Sequence, residues 1–199
     1  MRVQEIFSTI QGEGYWAGAA CDFVRLYGCP VGCPWCDTGY ADGGKHIKSE
    51  SMTLSQIVSQ ATAPRITISG GEPFVQPDLP RLVQMFIDRG STVAIETSGS
   101  FWRSVHDDAW VTLSPKQHVS PTYPVVNDMW ERANEVKIVV SDGSELEAYA
   151  SQLKRFEGLV YLQPEWTQKD IAIQAIMSIM VVHTDYRLSV QTHKFIGIP

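Results

Sequence analysis

Short apolar runs of strand length recur along this chain, separated by stretches whose apolar residues fall at three- and four-residue intervals. Strand-like runs lie at 22–27, 65–69, 92–96, 110–114, 135–140, 159–163 and 187–191. Helices with recognisable starts lie between several of them. Thr53-Leu-Ser-Gln56 and Ser144-Glu-Leu-Glu147 both have the capping-box form, in which a hydroxyl and a carboxylate or amide satisfy each other's orphan backbone donors. After Pro77, the residues Leu79, Leu82, Val83, Phe86 and Ile87 share one helical face, and Gly90 stands where a C-terminal cap belongs. Strand–helix repetition implies a parallel sheet with right-handed crossovers. In 199 residues, about six or seven strands fit an open barrel better than the closed eight-fold one, which takes about 250 residues. The expected fold is therefore α/β, an incomplete (partial) parallel βα barrel, with residues 1–199 as one domain.

Composition narrows the partners. At 44% hydrophobic and 10% aromatic content the chain can bury a sizeable core, and no stretch reads as a linker or low-complexity tract. A net charge of −6 with no basic stripe argues against a nucleic-acid surface, which needs clustered Lys and Arg. The most apolar run, Ile171 to Val182, is far short of a membrane span and contains Gln174 and Ser178. Met1 to Ile6 has no apolar leader segment. The expectation is a cytoplasmic protein of a reducing compartment, bound to neither membrane nor nucleic acid.

Three of the four cysteines crowd into Gly28-Cys-Pro-Val-Gly-Cys-Pro-Trp-Cys-Asp37, giving the spacing C-x3-C-x2-C for Cys29, Cys33 and Cys36. Three thiolates are one fewer than a closed zinc site takes, whereas a 4Fe-4S cluster held by three leaves one iron open to chemistry. Cys21 or His46 could complete a zinc site, but the second paired knuckle of a zinc ribbon is absent. Cys21 beside the run Asp22 to Tyr27 reads as a small buried residue. Cysteines gathered in one loop do not make a disulfide framework.

In parallel α/β folds, ligands gather beyond the carboxyl ends of the strands. Here the first run leads into the cysteine loop, and five of the other six end in Ser69-Gly-Gly-Glu-Pro73, Glu96-Thr-Ser-Gly99, Ser114-Pro-Lys116, Gln163-Pro164 and Gln191-Thr-His193. Any one of these alone reads as an ordinary turn. Their joint placement at one rim points to a site.

The cysteine loop, Trp35 before its last cysteine, and Ser69-Gly-Gly-Glu-Pro73 resemble the radical S-adenosylmethionine (SAM) enzymes. More narrowly, Ile10-Gln-Gly-Glu-Gly14, Arg25, Cys36-Asp-Thr38, Glu96-Thr-Ser-Gly99, Ser114-Pro-Lys116, Gln191-Thr-His-Lys194 and Pro199 resemble the 7-carboxy-7-deazaguanine synthase family, from near residue 5 to Pro199. The chain departs from that pattern in its compact connection between Thr38 and Ser69, and in Ser69 where threonine is equally expected.

The resemblance implies a partial barrel of the radical SAM type. It also implies a lyase that converts 6-carboxy-5,6,7,8-tetrahydropterin to 7-carboxy-7-deazaguanine with release of ammonia, in 7-deazapurine (queuosine-type) biosynthesis. Cys29, Cys33 and Cys36 would hold the 4Fe-4S cluster, and Thr38 a Mg2+ ion shared with the substrate carboxylate; a plain helix cap is the alternative for Thr38. SAM would lie against Trp35, Asp37, Gly70, Gly71, Glu72, Ser114, Pro115, Lys116 and Gln163. Substrate contacts would come from Ile10, Gln11, Gly12, Glu13, Arg25, Ser69, Glu96, His193 and Pro199, with Arg25 as a bidentate carboxylate clamp and Pro199 offering a terminal carboxylate. Implied partners are the small pterin, an external one-electron reductant of flavodoxin or ferredoxin type, and a second copy in a homodimer. Two other readings fit parts of the pattern: a radical SAM activating enzyme acting on a partner protein, and a zinc-stabilised binding module without catalysis.

Overall fold

The strands owe their arrangement to strict alternation. On each central strand one residue in two is apolar and faces the helices, while its neighbours face the opposite side. The computed structural model describes residues 1–199, and its strands are β1 (Arg2–Ile10), β2 (Ala20–Leu26), β3 (Glu50–Ser51), β4 (Arg65–Gly70), β5 (Thr92–Thr97), β6 (Trp110–Leu113), β7 (Glu135–Val140), β8 (Leu159–Pro164) and β9 (Arg187–Leu188). They form one nine-stranded sheet in the order β3-β1-β2-β4-β5-β6-β7-β8-β9. From β2 to β9 the pairing is parallel, while β1 runs antiparallel to both β2 and β3. The sheet is open rather than closed, as expected of a partial βα barrel.

Helices α1 (Leu54–Gln60), α2 (Leu79–Asp88), α3 (Asn127–Arg132), α4 (Ala150–Leu153), α5 (Lys169–Val182) and α6 (Thr192–Ile196) complete the fold. The core joins Val24, Ile66, Ile68, Val93, Ile95, Val111, Leu113, Val136, Ile138 and Leu162 from the sheet to Leu79, Leu82, Val83 and Phe86 from α2. Burying each such side chain contributes about 1.5–3 kcal/mol. Gly90, at φ 88°, ends α2 in a Schellman motif: Ser91 N–H donates to Phe86 C=O at 3.0 Å and Gly90 N–H to Ile87 C=O at 2.7 Å.

The opposite face is polar, which is unusual for parallel strands. Arg25, Ser69, Glu96, Thr112, Glu135, Lys137 and Gln163 alternate with the core residues just named. Residues 11–19 cross this face. Gly14 N–H donates to Ser189 Oγ at 3.0 Å and Tyr15 N–H to Glu135 Oε2 at 2.9 Å. Tyr15 stacks on Trp110 at 4.4 Å between ring centroids, and Arg65 lies 4.3 Å from the Trp16 ring centroid. This aromatic group floors the half-barrel.

Three details differ from the expectation and one agrees with it. The strand β1 has only intermittent burial along its length, so its sequence carries no clean two-residue alternation. The run 187–191 forms strand only at Arg187–Leu188, and the residues after it leave the sheet edge towards the site. The capping box at Thr53 forms, with Thr53 N–H donating to Gln56 Oε1 at 2.8 Å and Gln56 N–H to Thr53 Oγ1 at 3.2 Å. The one at Ser144 does not. Gly143, at φ 98°, turns the chain a residue earlier and starts a 3-10 helix over Ser144–Tyr149. Ser144 Oγ there donates to Asp142 Oδ1 at 2.7 Å, and Glu145 accepts from the N–H groups of Ser141 and Gly143 at 2.7 and 2.9 Å.

Candidate active site

Strand β2 delivers the chain into the cysteine loop, which doubles back through Gly28 at φ 103° and Gly32 at φ 66°. Cys33 is buried, Cys29 and Cys36 are half-buried, and none is in a disulfide. All three line a cavity of about 270 Å³ at the carboxyl ends of the strands. Burial pushes the Cys29 thiol up to about 11 and raises Cys33 as well. Cys21 is buried within β2 and His46 is exposed, and neither lines the cavity. No three His, Cys, Asp or Glu side chains are gathered as a single bound ion requires. A cluster asks for less convergence, because each thiolate takes a different iron.

Gly70 and Gly71 were expected to leave room for a cofactor. The structure shows what their missing side chains admit. A Cβ on Gly70 would lie 2.1 Å from Leu26 O, and one on Gly71 would lie 2.0 Å from Gly28 O. The two glycines thus bring β4 against the start of the cysteine loop, where Gly71 N–H donates to Leu26 C=O at 2.8 Å and Glu72 N–H to Gly28 C=O at 2.9 Å. The Glu72 carboxylate faces the same cavity and is occupied by the protein: it accepts from Phe74 N–H at 3.1 Å, Thr97 Oγ1 at 2.6 Å, Ser98 N–H at 2.8 Å and Ser98 Oγ at 2.5 Å.

All nine residues expected on the substrate side line this cavity, as does Thr38. Gln11 Nε2 donates to Glu96 Oε1 at 3.3 Å. Arg25 Nη1 donates to Glu5 at 2.6 Å, and its guanidinium lies 5.0 Å from the Phe7 ring centroid, so the ion pair uses one nitrogen of the fork. His193 stands against Gly12, where a Cβ would come within 2.1 Å of its Nδ1. Burial lowers the His193 pKa below the ordinary histidine range. Thr9 Oγ1 donates to the backbone oxygen of Pro199 at 3.0 Å, holding that residue at the rim.

An adjoining cavity of about 190 Å³ shares Glu13, Cys33, Cys36, Asp37, Glu96, Ser114 and Lys116 with the first, and adds Trp35 and Gln163. Lys116 Nζ donates to Ser114 O at 2.8 Å and to Ser114 Oγ at 2.5 Å, and burial lowers its pKa. Pro115 lines neither cavity.

Two residues central to this geometry were not expected. Lys137, in the middle of β7 and only 5% exposed at its side chain, bonds Glu13 and also Glu96, the latter at 3.0 Å. Burial alone would raise the Glu13 carboxyl, but the charge and hydrogen bond of Lys137 outweigh it and bring the pKa down to about 2. Burial acts to lower the Lys137 pKa, and its two carboxylate partners instead raise it. Gln191, part of a motif already singled out, donates through Nε2 to Glu13 Oε1 and to Asp37 Oδ2, both at 2.9 Å. The signal for Lys137 was Glu135 and Lys137 two apart in an otherwise apolar strand, since buried charges need partners.

Comparison with known proteins then places the chain. A profile of the Radical SAM superfamily matches residues 23–110. The chain is 34% identical to 7-carboxy-7-deazaguanine synthase of Escherichia coli (strain K12), over 98% of this chain and 98% of that protein. It belongs to the 7-carboxy-7-deazaguanine synthase family. The enzyme of the same name from Synechocystis sp. is 33% identical over 98% of this chain and 92% of its own length. The crystal structure of QueE from Escherichia coli matches with a TM-score of 0.84 at 33% identity, covering 96% of this chain and 94% of that one. A radical SAM enzyme carries a 4Fe-4S cluster and SAM. The donor set fits: three free thiols line one cavity, and the Glu72 carboxylate that faces the same cavity is already held by protein donors.

Proposed function

We propose that this member of the 7-carboxy-7-deazaguanine synthase family converts 6-carboxy-5,6,7,8-tetrahydropterin to 7-carboxy-7-deazaguanine, releasing ammonia, as a single radical SAM domain over residues 1–199. One observation carries the reading. The three free cysteines share a cavity with Arg25, His193, Pro199 and the two carboxylates that Lys137 bonds, Glu13 and Glu96, so cluster ligands and groups suited to a carboxylated pterin meet in one volume.

Cys29, Cys33 and Cys36 would hold three irons, leaving the fourth to SAM. Bound there, cluster and SAM supply one-electron reductive cleavage of a carbon–sulfur bond, the source of a hydrogen-abstracting radical. The protein's part is to bind, orient and exclude water. Trp35, Asp37, Gly70, Gly71, Ser114, Pro115, Lys116 and Gln163 are assigned to SAM; Glu72, with all its bonds made internally, braces the loop under it. Arg25 keeps donors free for the substrate carboxylate beyond its single bond to Glu5. Thr38, at the rim of the same cavity, would hold Mg2+ against that carboxylate, since magnesium takes few protein oxygens when the substrate brings charge.

Gln11, Glu13, Glu96 and His193 present acceptors and donors to the ring edge, with Ile10, Gly12 and Ser69 shaping it and Pro199 closing it. Lys137 holds the Glu13 carboxyl ionised and also bonds Glu96, and carboxylate oxygens of this kind are suited to accept from amine and amide hydrogens. An external one-electron reductant is required by the chemistry. A homodimer would cover the apolar residues Ile171, Met177, Val181 and Val182, all more than half exposed on α5. No helix is long and apolar enough to cross a membrane, in keeping with a cytoplasmic site of action.

The test is anaerobic reconstitution with iron and sulfide, addition of SAM, reductant and the carboxypterin, and detection of 7-carboxy-7-deazaguanine. The 4Fe-4S spectrum and product should both be seen, and both lost in Cys33→Ala. A reconstituted protein that cleaves SAM but leaves the pterin unchanged would overturn the substrate assignment.

A further inference from the structure

Gln191 is 5% exposed and its side-chain amide is fully used. One nitrogen donates to Glu13 Oε1 and to Asp37 Oδ2, each at 2.9 Å, and the amide oxygen accepts from Lys194 Nζ at 2.9 Å. Lys194 Nζ also donates to Asp37 Oδ2 at 2.8 Å. Glu13 belongs to the loop that crosses the polar face of the sheet, and Asp37 directly follows the last cysteine. The amide therefore spans the two halves of the site, and both of its N–H groups are needed.

The segment carrying Gln191 is strapped to the Glu13 loop a second time. Thr192 N–H donates to Gly12 C=O at 3.0 Å, and Gly12 lacks the Cβ that would strike His193. Two hydrogen bonds at 2.9 Å to two carboxylates leave little slack: a shift of either carboxylate by a few tenths of an ångström lengthens or bends one of them. Placement of Glu13 by a bound ring is thereby felt at Asp37, and placement of the cysteine loop is felt at Glu13.

We propose that Gln191 is a positioning residue that couples occupancy of the pterin pocket to the geometry of the cysteine loop, so that SAM is cleaved productively only when the substrate is seated. This rests on the assignment of Glu13 to the substrate and of Asp37 to the cofactor side.

The test compares reconstituted wild type with Gln191→Met, which keeps the length of the side chain and removes every hydrogen bond, and with Lys194→Ala, which removes only the anchor of the amide oxygen. Two quantities are read: SAM consumed per 7-carboxy-7-deazaguanine formed, and hydrogen exchange of the amides at 28–40 with and without the carboxypterin. In wild type, substrate should slow exchange both at 10–13 and at 28–40. In Gln191→Met, protection should remain at 10–13 and vanish at 28–40, and SAM consumed per product should rise at least several-fold, with Lys194→Ala between the two. A purely structural role would lower the melting temperature and the rate while leaving the ratio and the pattern of protection as in wild type, and that result would overturn the proposal. If Gln191→Met does not fold, Lys194→Ala decides alone: a wild-type ratio and wild-type protection in it refute the coupling. Wild type that does not turn over the carboxypterin refutes the substrate assignment instead, and so is told apart from a failure of the bridge.

Discussion

Replacing Lys137 with methionine would remove the cation bonded to both Glu13 and Glu96 while filling much the same volume. The side chains of Glu13 and Glu96 are 17% and 20% exposed, so water replaces the lost partner poorly. The Glu13 carboxyl is brought down from 4.5 to about 2, against a burial effect of opposite sign, mainly by Lys137. At about 1.4 kcal/mol per pKa unit, that depression corresponds to roughly 3 kcal/mol of folding stability. Removing one partner of a buried pair costs about 3–5 kcal/mol by independent measure, so the two magnitudes agree. Because the folded pKa is the lower one, this stability is fully present above about pH 4.5 and disappears as pH falls towards 2. The expected outcome is a Lys137→Met protein about 3 kcal/mol less stable at pH 7, with the gap narrowing steadily below pH 4.5. Urea denaturation of the two cluster-free proteins at pH 7, 4.5 and 3, followed by tryptophan fluorescence, measures it. A gap of the same size at every pH would mean that Lys137 acts through packing, and a gap under about 1 kcal/mol at pH 7 would refute the reasoning outright.

Gly71→Ala would put a Cβ 2.0 Å from the Gly28 carbonyl oxygen, forcing the cysteine loop off β4; iron bound after reconstitution should fall below half that of wild type with the circular dichroism unchanged, and full iron content would show that the loop yields freely. Arg25→Lys should retain the cluster spectrum but bind the carboxypterin at least tenfold more weakly, since a charged hydrogen bond contributes about 1.5–3 kcal/mol and an ammonium cannot reproduce the fork; isothermal titration showing wild-type affinity would remove Arg25 from the carboxylate. Extending the chain past Pro199 by a few glycines moves the terminal charge away from the position held by Thr9, and should weaken substrate binding by a similar factor while fold and cluster survive; equal affinity would put the terminus outside the site.

The parallel strands were legible because their core-facing residues are mostly apolar, with Asp22 on β2 and Thr97 on β5 as polar exceptions, and α2 because its apolar stripe ends at a glycine that can turn left-handed. The strand β1 was not, since it lies near the sheet edge, where half-burial imposes no alternation. The capping pattern at Ser144 misled for a local reason: a glycine just before it changes where the turn begins, and the Ser144 N–H that a capping box would satisfy donates to Asp142 instead. The strand-end motifs located the rim because loops beyond parallel strands have few other ways to use so many polar residues at once.

What those motifs could not convey is how their members hold one another. Glu13 and Glu96 lie far apart in the chain, and each reads on its own as a candidate contact for a ligand. Neither discloses that two carboxylates so close together need a cation between them. The missing cation sat in the run 135–140, where its apolar neighbours made the whole segment read as an ordinary core strand. Two charged residues at positions 135 and 137 of such a strand point to the same face, and that face cannot be hydrocarbon, because an unpaired buried ammonium would not stay charged. The strand therefore requires a polar lumen with carboxylates reaching in from elsewhere, and the strand-end motifs supply them. Joined in this way, the alternation that builds the sheet also dictates that its inner face be a site of fixed charges, with Lys137 between Glu13 and Glu96 and Gln191 tying Glu13 to Asp37 at the end of the cysteine loop.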